Sequence, residues 1–89
     1  MKRYRFRFYG RVQGVGFRYF IYTKAVLLNL NGHVKNLDDG CVEAEVEGAE
    51  ENIFEFLSQV FKGNGISRVD DLIKEEMSIK DDKKFKILY

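Results

Sequence analysis

The first third of the chain changes from a two-residue to a helical spacing of apolar residues. In RYRFRFY (residues 3–9), Tyr4, Phe6 and Phe8 alternate with arginines, which is typical of a strand with one apolar and one cationic face. From Phe17 onward, apolar residues recur every three or four positions and predict a helix (Phe17, Phe20, Ile21, Ala25 and Leu28). A strand followed by a helix is therefore predicted.

The rest of the chain shows the same two patterns, separated by turn residues. Val42, Ala44 and Val46 alternate with glutamates, so we expect the apolar side of this strand to face the core and the glutamates to face outward. In chain order, the elements predicted after the first helix are a strand at NGHVKN (31–36), a turn at LDDG (37–40), a strand at CVEAEVEG (41–48), an amphipathic helix at EENIFEFLSQVFK (50–62) ended by GNG (63–65), a weakly patterned strand at SRVDDLIKEE (67–76) and a short strand at FKILY (85–89).

This order, βαββαβ with an extra C-terminal strand, predicts an α+β fold. We expect a ferredoxin-like two-layer sandwich, with an antiparallel sheet and two helices on one of its faces. The first and third strands are adjacent and antiparallel in that topology, so a row of arginines (Arg3, Arg5, Arg7) should lie beside a row of glutamates (Glu43, Glu45, Glu47) on the open face. Such pairing would explain much of the charge asymmetry, because residues 1–37 contain no acidic residue.

Composition narrows the class of protein. With 89 residues and 45% hydrophobic content, we expect a single domain over residues 1–89 with a real core. One cysteine and one histidine form neither an internal disulfide nor a zinc site, so we expect no metal and no cofactor. No apolar run approaches about 18 residues, which argues against a membrane protein. We expect a monomer in a reducing, cytoplasmic setting.

A glycine-rich segment, YGRVQGVGFR (9–18), joins the first strand to the first helix. Repeated glycines let successive backbone N–H groups converge beside a helix N-terminus, where they can bind a tetrahedral anion. The spacing G-x-x-x-G-x-G differs from the dinucleotide fingerprint, and no G-K-[ST] follows it. Glycines alone are equally consistent with a tight turn, but Arg18 in the first helical turn favours a phosphate site because its planar guanidinium can bind phosphate through two hydrogen bonds.

Two segments, GRVQGVGFR (10–18) and GHVKNLDDGCVEAEVEG (32–48), closely resemble the acylphosphatase family, and the similarity extends over nearly the whole chain. The resemblance implies hydrolysis of the carboxyl–phosphate bond of small acyl phosphates to a carboxylate and inorganic phosphate, without a metal or organic cofactor. It also implies that Arg18 binds the phosphate and that Asn36 positions the attacking water. The phosphate-binding loop would comprise Gln13, Gly14, Val15, Gly16, Phe17 and Arg18.

The chemistry of the residues agrees with this interpretation. Neither segment offers a Ser–His–acid group, and we expect neither His33 nor Cys41 of the second segment to act in acid–base or nucleophilic chemistry, so a covalent intermediate has no evident nucleophile. An acyl phosphate has a good leaving group, and its hydrolysis needs only charge stabilisation and an oriented water. Two positions depart from the family pattern: His33, where an aromatic residue is more usual, and Asn29, where glycine is usual. We expect a surface or packing role for His33, a left-handed helix end at Asn29 and a plain strand role for Cys41.

Two other functions are consistent with the predicted topology. RNA-recognition modules share it, but they stack bases on the central strands, where Glu43, Glu45 and Glu47 would repel a phosphate backbone, so no nucleic-acid partner is expected. The second is a non-catalytic, anion-binding or regulatory acylphosphatase-like domain, such as the one in larger carbamoyl-transfer proteins. The presence of both Arg18 and Asn36 favours the enzyme.

Overall fold

The elements of the chain follow the order that the sequence predicts. A computed structural model describes all residues, 1–89. It contains β1 (Lys2–Arg11), α1 (Phe17–Leu27), β2 (Asn31–Asn36), β3 (Val42–Gly48), α2 (Glu50–Lys62), β4 (Arg68–Met77) and β5 (Phe85–Ile87). Helix α1 ends one residue before Leu28, and Asn29 adopts the left-handed conformation expected of it, with φ 58°.

The five strands form one sheet in the order β4-β1-β3-β2-β5. Strand β1 pairs antiparallel with β3 and β4, and β2 pairs antiparallel with β3. Strand β5 instead pairs parallel with β2, so the added strand makes the sheet mixed. The ferredoxin-like fold is confirmed, and its β1–β3 pair lies at the centre of the sheet as expected.

The core lies between the sheet and the two helices. Three aromatic side chains of β1 are buried there (Tyr4, Phe6 and Phe8), with Phe6 and Phe8 fully enclosed, and they pack against apolar residues of both helices (Phe17, Ile21, Ala25, Ile53, Phe56 and Val60). These aromatic rings are therefore not available to stack on bases, which argues against the RNA-recognition alternative. No helix has the length and apolar character needed to cross a membrane.

The opposite face of the sheet carries the predicted rows of charge. Arg3 pairs with Glu47, Arg5 with Glu45 and Arg7 with Glu43 across β1 and β3, as the topology predicts. The expectation of an open face was wrong, because these three glutamates are only 1–7% exposed.

The segment 78–84 covers this face as it runs from β4 to β5, which lie at opposite edges of the sheet. Its backbone N–H groups at Lys80 and Asp81 donate to the Glu47 carboxylate at 2.8 and 3.0 Å. The buried Arg3 guanidinium contacts Glu45, Glu47 and Asp82 at 2.8–3.0 Å. The glutamates can be buried because nearby donors compensate their charge.

Candidate active site

Two glycines shape the loop between β1 and α1. Gly14 and Gly16 both have φ +73°, in the left-handed region that favours glycine. Gly10 serves another purpose, since it lies in β1 at a shift in the pairing with β4, where a Cβ atom would approach the Arg68 carbonyl oxygen to 2.3 Å. Of the three clustered glycines, therefore, only Gly14 and Gly16 belong to the loop itself.

The loop presents a run of free backbone donors. None of the N–H groups of residues 13–19 donates to another backbone group, and the first such bond of this region runs from Phe20 N–H to the Gly16 carbonyl at 3.1 Å. These donors lie at the N-terminus of the 11-residue helix α1, whose first turn contains no acidic residue. The partial positive charge of a helix N-terminus and the free N–H groups together favour an anion.

Two amide side chains hold this loop in place. Gln13 Nε2 donates to the carbonyl oxygens of Leu37 and Cys41 at 2.8 and 2.9 Å. Since the turn 37–41 directly follows Asn36, this contact links the loop to the end of β2. On the other side, Asn64 Nδ2 donates to the Val15 carbonyl oxygen at 2.8 Å.

A cleft of about 190 Å³ lies between the loop, the start of α1, the end of β2 and residues 87–89. It brings together five of the sequence-predicted site residues, whereas Gln13 and Val15 lie on the loop without lining the cleft. Arg18 is the only residue with a charged side chain among those that line it. The lining residues are Val12, Gly14, Gly16, Phe17, Arg18, Tyr19, Asn36, Ile87 and Tyr89.

Arg18 is held at the rim of this cleft by the last residues of the chain. Its Nη1 donates to the Leu88 carbonyl oxygen at 3.2 Å, and its guanidinium carbon lies 4.9 Å from the centre of the Tyr89 ring. A guanidinium has five N–H donors, so the Leu88 contact leaves others for an anion. The sequence pattern of FKILY signals only a strand and did not reveal this contact.

Asn36, at the end of β2, also lines this cleft. Its side chain is exposed and makes no hydrogen bond within the protein. The carboxamide therefore keeps both its acceptor oxygen and its donor nitrogen free for a water molecule. Arg18 and Asn36 thus offer a guanidinium and a free carboxamide to the same cleft.

The chain is similar to known proteins along its length. The acylphosphatase family model matches residues 4–87. An acylphosphatase of Clostridium beijerinckii is 49% identical over 100% of both chains. The crystal structure of an acylphosphatase from Bacillus subtilis is 43% identical, with a TM-score of 0.96 over 100% of both chains. This chain belongs to the acylphosphatase family.

The same comparisons bear on the non-catalytic alternative. The structure of HypF from T. kodakarensis also matches, with a TM-score of 0.89 and 40% identity, but this chain covers only 12% of it. The match to the acylphosphatases extends over their whole length instead. These full-length similarities support an acylphosphatase, that is, a hydrolase, over an acylphosphatase-like regulatory domain.

Two reactive side chains of this acylphosphatase lie outside the cleft. Cys41 is fully buried, and burial raises the pKa of its thiol to about 11, so the group stays protonated and poorly nucleophilic. The burial agrees with a role other than that of a nucleophile, but the prediction that Cys41 lies in a strand was wrong, because β3 begins at Val42.

The other is His33, on the charged face of the sheet, with Nε2 3.7 Å from Glu45 Oε2. Burial lowers the pKa of His33. Ligand atoms of His33, Glu43 and Glu45 lie within 4.8 Å of one another. The glutamates of this group already pair with Arg3, Arg7, Lys35 and Lys80, and those ion pairs account for the cluster without a metal ion.

Proposed function

We propose that this acylphosphatase binds the phosphate of small acyl phosphates with the N–H groups of loop 13–18 and with Arg18, and that Asn36 holds the attacking water. The observation that carries the proposal is the run of free N–H groups from residue 13 to 19, on the same cleft as Arg18 and Asn36. The phosphoryl oxygens carry negative charge throughout the reaction, and in this proposal they accept hydrogen bonds from the N–H groups and the guanidinium.

The proposed reaction needs no protein group beyond the loop N–H groups, Arg18 and Asn36. Water attacks phosphorus, the bond between phosphorus and the acyl oxygen breaks, and the bonding electrons leave with the carboxylate. The proton of the water passes to a phosphate oxygen, which gives inorganic phosphate. Because the carboxylate is a good leaving group, orientation of the water and stabilisation of the phosphoryl charge supply the catalysis.

Release of inorganic phosphate from acetyl phosphate by the purified chain tests this function. We expect turnover well above the spontaneous rate, and competitive inhibition by inorganic phosphate, because product and substrate share the bound group. At one hundred times its Kd, phosphate should also raise the free energy of unfolding by about 2.7 kcal/mol, and Tm should rise accordingly. A chain that neither accelerates hydrolysis nor binds phosphate would exclude the function.

Further properties stay predictions. Cys41 is the single cysteine, which supports a reducing, cytoplasmic setting. We also propose that the chain acts as a monomer, without metal, cofactor or nucleic acid. Light scattering of the purified chain measures its mass in solution, and addition of RNA oligomers at low salt tests for a nucleic-acid partner.

A further inference from the structure

The turn that follows α2 contacts the phosphate-binding loop through one side chain. Asn64, which lies 49 residues after Val15 in the sequence, donates from Nδ2 to the Val15 carbonyl oxygen at 2.8 Å. Nothing in the segment GNG (63–65) distinguishes this asparagine from an ordinary turn residue. The contact therefore appears only when the chain is folded.

The Asn64 carboxamide is itself held in one orientation. Its Oδ1 accepts hydrogen bonds from the N–H groups of Ile66 and Ser67 at 3.0 and 2.8 Å. The backbone N–H of Asn64 donates to Ser67 Oγ at 3.2 Å. Since two donors occupy the oxygen, the nitrogen of the same amide must point toward Val15.

This contact fixes the direction of a donor in the cleft. In a trans peptide, the carbonyl of one residue and the N–H of the next point in opposite directions. Because the Val15 carbonyl points toward Asn64, the N–H of Gly16 is directed away from Asn64, and Gly16 lines the cleft. Gly16 has a glycine's backbone freedom, so a constraint on this peptide has to come from elsewhere.

We propose that Asn64 is a positioning residue for catalysis, which acts through the Val15–Gly16 peptide to hold the Gly16 N–H toward the phosphate. The proposal rests on the phosphate-binding role proposed above for loop 13–18. Asn64 touches neither substrate nor water. It acts by holding the loop in the conformation that binds the anion.

Asn52 offers a control on α2, the helix that precedes the turn containing Asn64. Its Nδ2 also donates to a backbone carbonyl, that of Leu28, at 3.2 Å. It lies at the start of α2, and neither Asn52 nor Leu28 lines the cleft. Asn52→Ser and Asn64→Ser each remove a hydrogen bond from a side-chain amide to a backbone carbonyl, and only the bond of Asn64 ends on the loop. Asn64→Ser also removes the amide oxygen that accepts from Ile66 and Ser67, and a serine hydroxyl can accept such bonds in its place. Serine also keeps an uncharged oxygen near the turn, so no new charge repels phosphate.

The experiment measures inorganic phosphate binding to the wild type and both variants, by titration of backbone amides in ¹⁵N-labelled protein. Phosphate should shift the Gly16 amide strongly in the wild type. We expect Asn64→Ser to raise the Kd for phosphate roughly tenfold, the effect of losing one oriented hydrogen bond to a charged group. The KM for acetyl phosphate should rise with it, while kcat falls less. For Asn52→Ser, the Kd for phosphate and the KM for acetyl phosphate should stay within about twofold of the wild-type values.

Two results would overturn the role of Asn64 while leaving the function intact. One comes from the wild type alone: a titration in which phosphate changes the chemical shifts of other loop amides and leaves that of Gly16 unchanged. The other is an Asn64→Ser variant that binds phosphate as tightly as Asn52→Ser does. If the wild type itself neither binds phosphate nor releases it from acetyl phosphate, the proposed function fails instead.

Discussion

Replacing Asn36 by alanine should separate catalysis from folding. The Asn36 side chain is exposed, makes no hydrogen bond within the protein and reaches the cleft at the end of β2. Its removal leaves the loop N–H groups and Arg18 in place to bind phosphate. In the proposed mechanism it removes the partner of the water.

In Asn36→Ala, the expected change in the free energy of unfolding is much smaller than the expected change in the activation free energy. A surface substitution that breaks no contact changes the free energy of unfolding by about 0.5 kcal/mol or less. Loss of one oriented hydrogen-bonding group in an active site typically raises the activation free energy by about 2.7–4 kcal/mol, which lowers kcat by roughly 100- to 1,000-fold. The variant should therefore keep its Tm and lose most of its kcat.

Initial rates with acetyl phosphate measure kcat and KM, and thermal unfolding measures Tm. Asn31→Ala is the matched control, because Asn31 begins the same strand, also makes no side-chain hydrogen bond and does not line the cleft. KM and the Kd for phosphate should change only a few-fold in Asn36→Ala. An unchanged kcat would refute the water-positioning role. A loss of phosphate affinity as large as the loss of kcat would make Asn36 a phosphate ligand.

Three other outcomes are expected. Arg18→Lys keeps the charge but loses the planar fork of donors, so activity should fall by about 100-fold or more with Tm nearly unchanged; near-normal turnover and KM would remove the anchoring role. EDTA should leave the rate unchanged, and reversible loss of activity restored by one divalent ion would contradict this. Burial raises the pKa of Glu45, but hydrogen bonds from Arg3 and Lys80 outweigh it and lower the pKa to about 2. The carboxylate therefore stabilises the fold fully above its ordinary pKa of 4.5 and loses that contribution as the pH falls toward 2. In acid denaturation, the free energy of unfolding of Glu45→Gln should therefore fall less steeply over that pH range than the wild-type value does. An unchanged slope would count against this ion pairing.

The order of the elements and the antiparallel pairing of the central strands could be predicted from the sequence. Alternation in β1 and β3 assigns each residue to a face, and the topology then leaves few ways to pair the strands. The direction of β5 and the cover over Glu45 and Glu47 could not be predicted. The segment SIKDDKK (78–84) has no apolar period, and its contacts with Glu47 use backbone N–H groups, which every residue but proline has.

The same distinction explains which site residues were identified. Arg18, Asn36 and the loop glycines carry a charge, a motif position or a backbone preference, and each of these is visible in the chain. Gln13 and Asn64 act on the loop by donating an amide N–H to backbone carbonyls, a contact that leaves no trace in charge or periodicity. The resemblance placed Gln13 among the phosphate-binding residues, yet its side chain is bonded to the turn 37–41, which leaves its backbone N–H as the group available to an anion. Residues proposed to bind the phosphate can thus be predicted from a motif, whereas those that hold the loop in shape are found only where the folded chain brings an amide to a carbonyl.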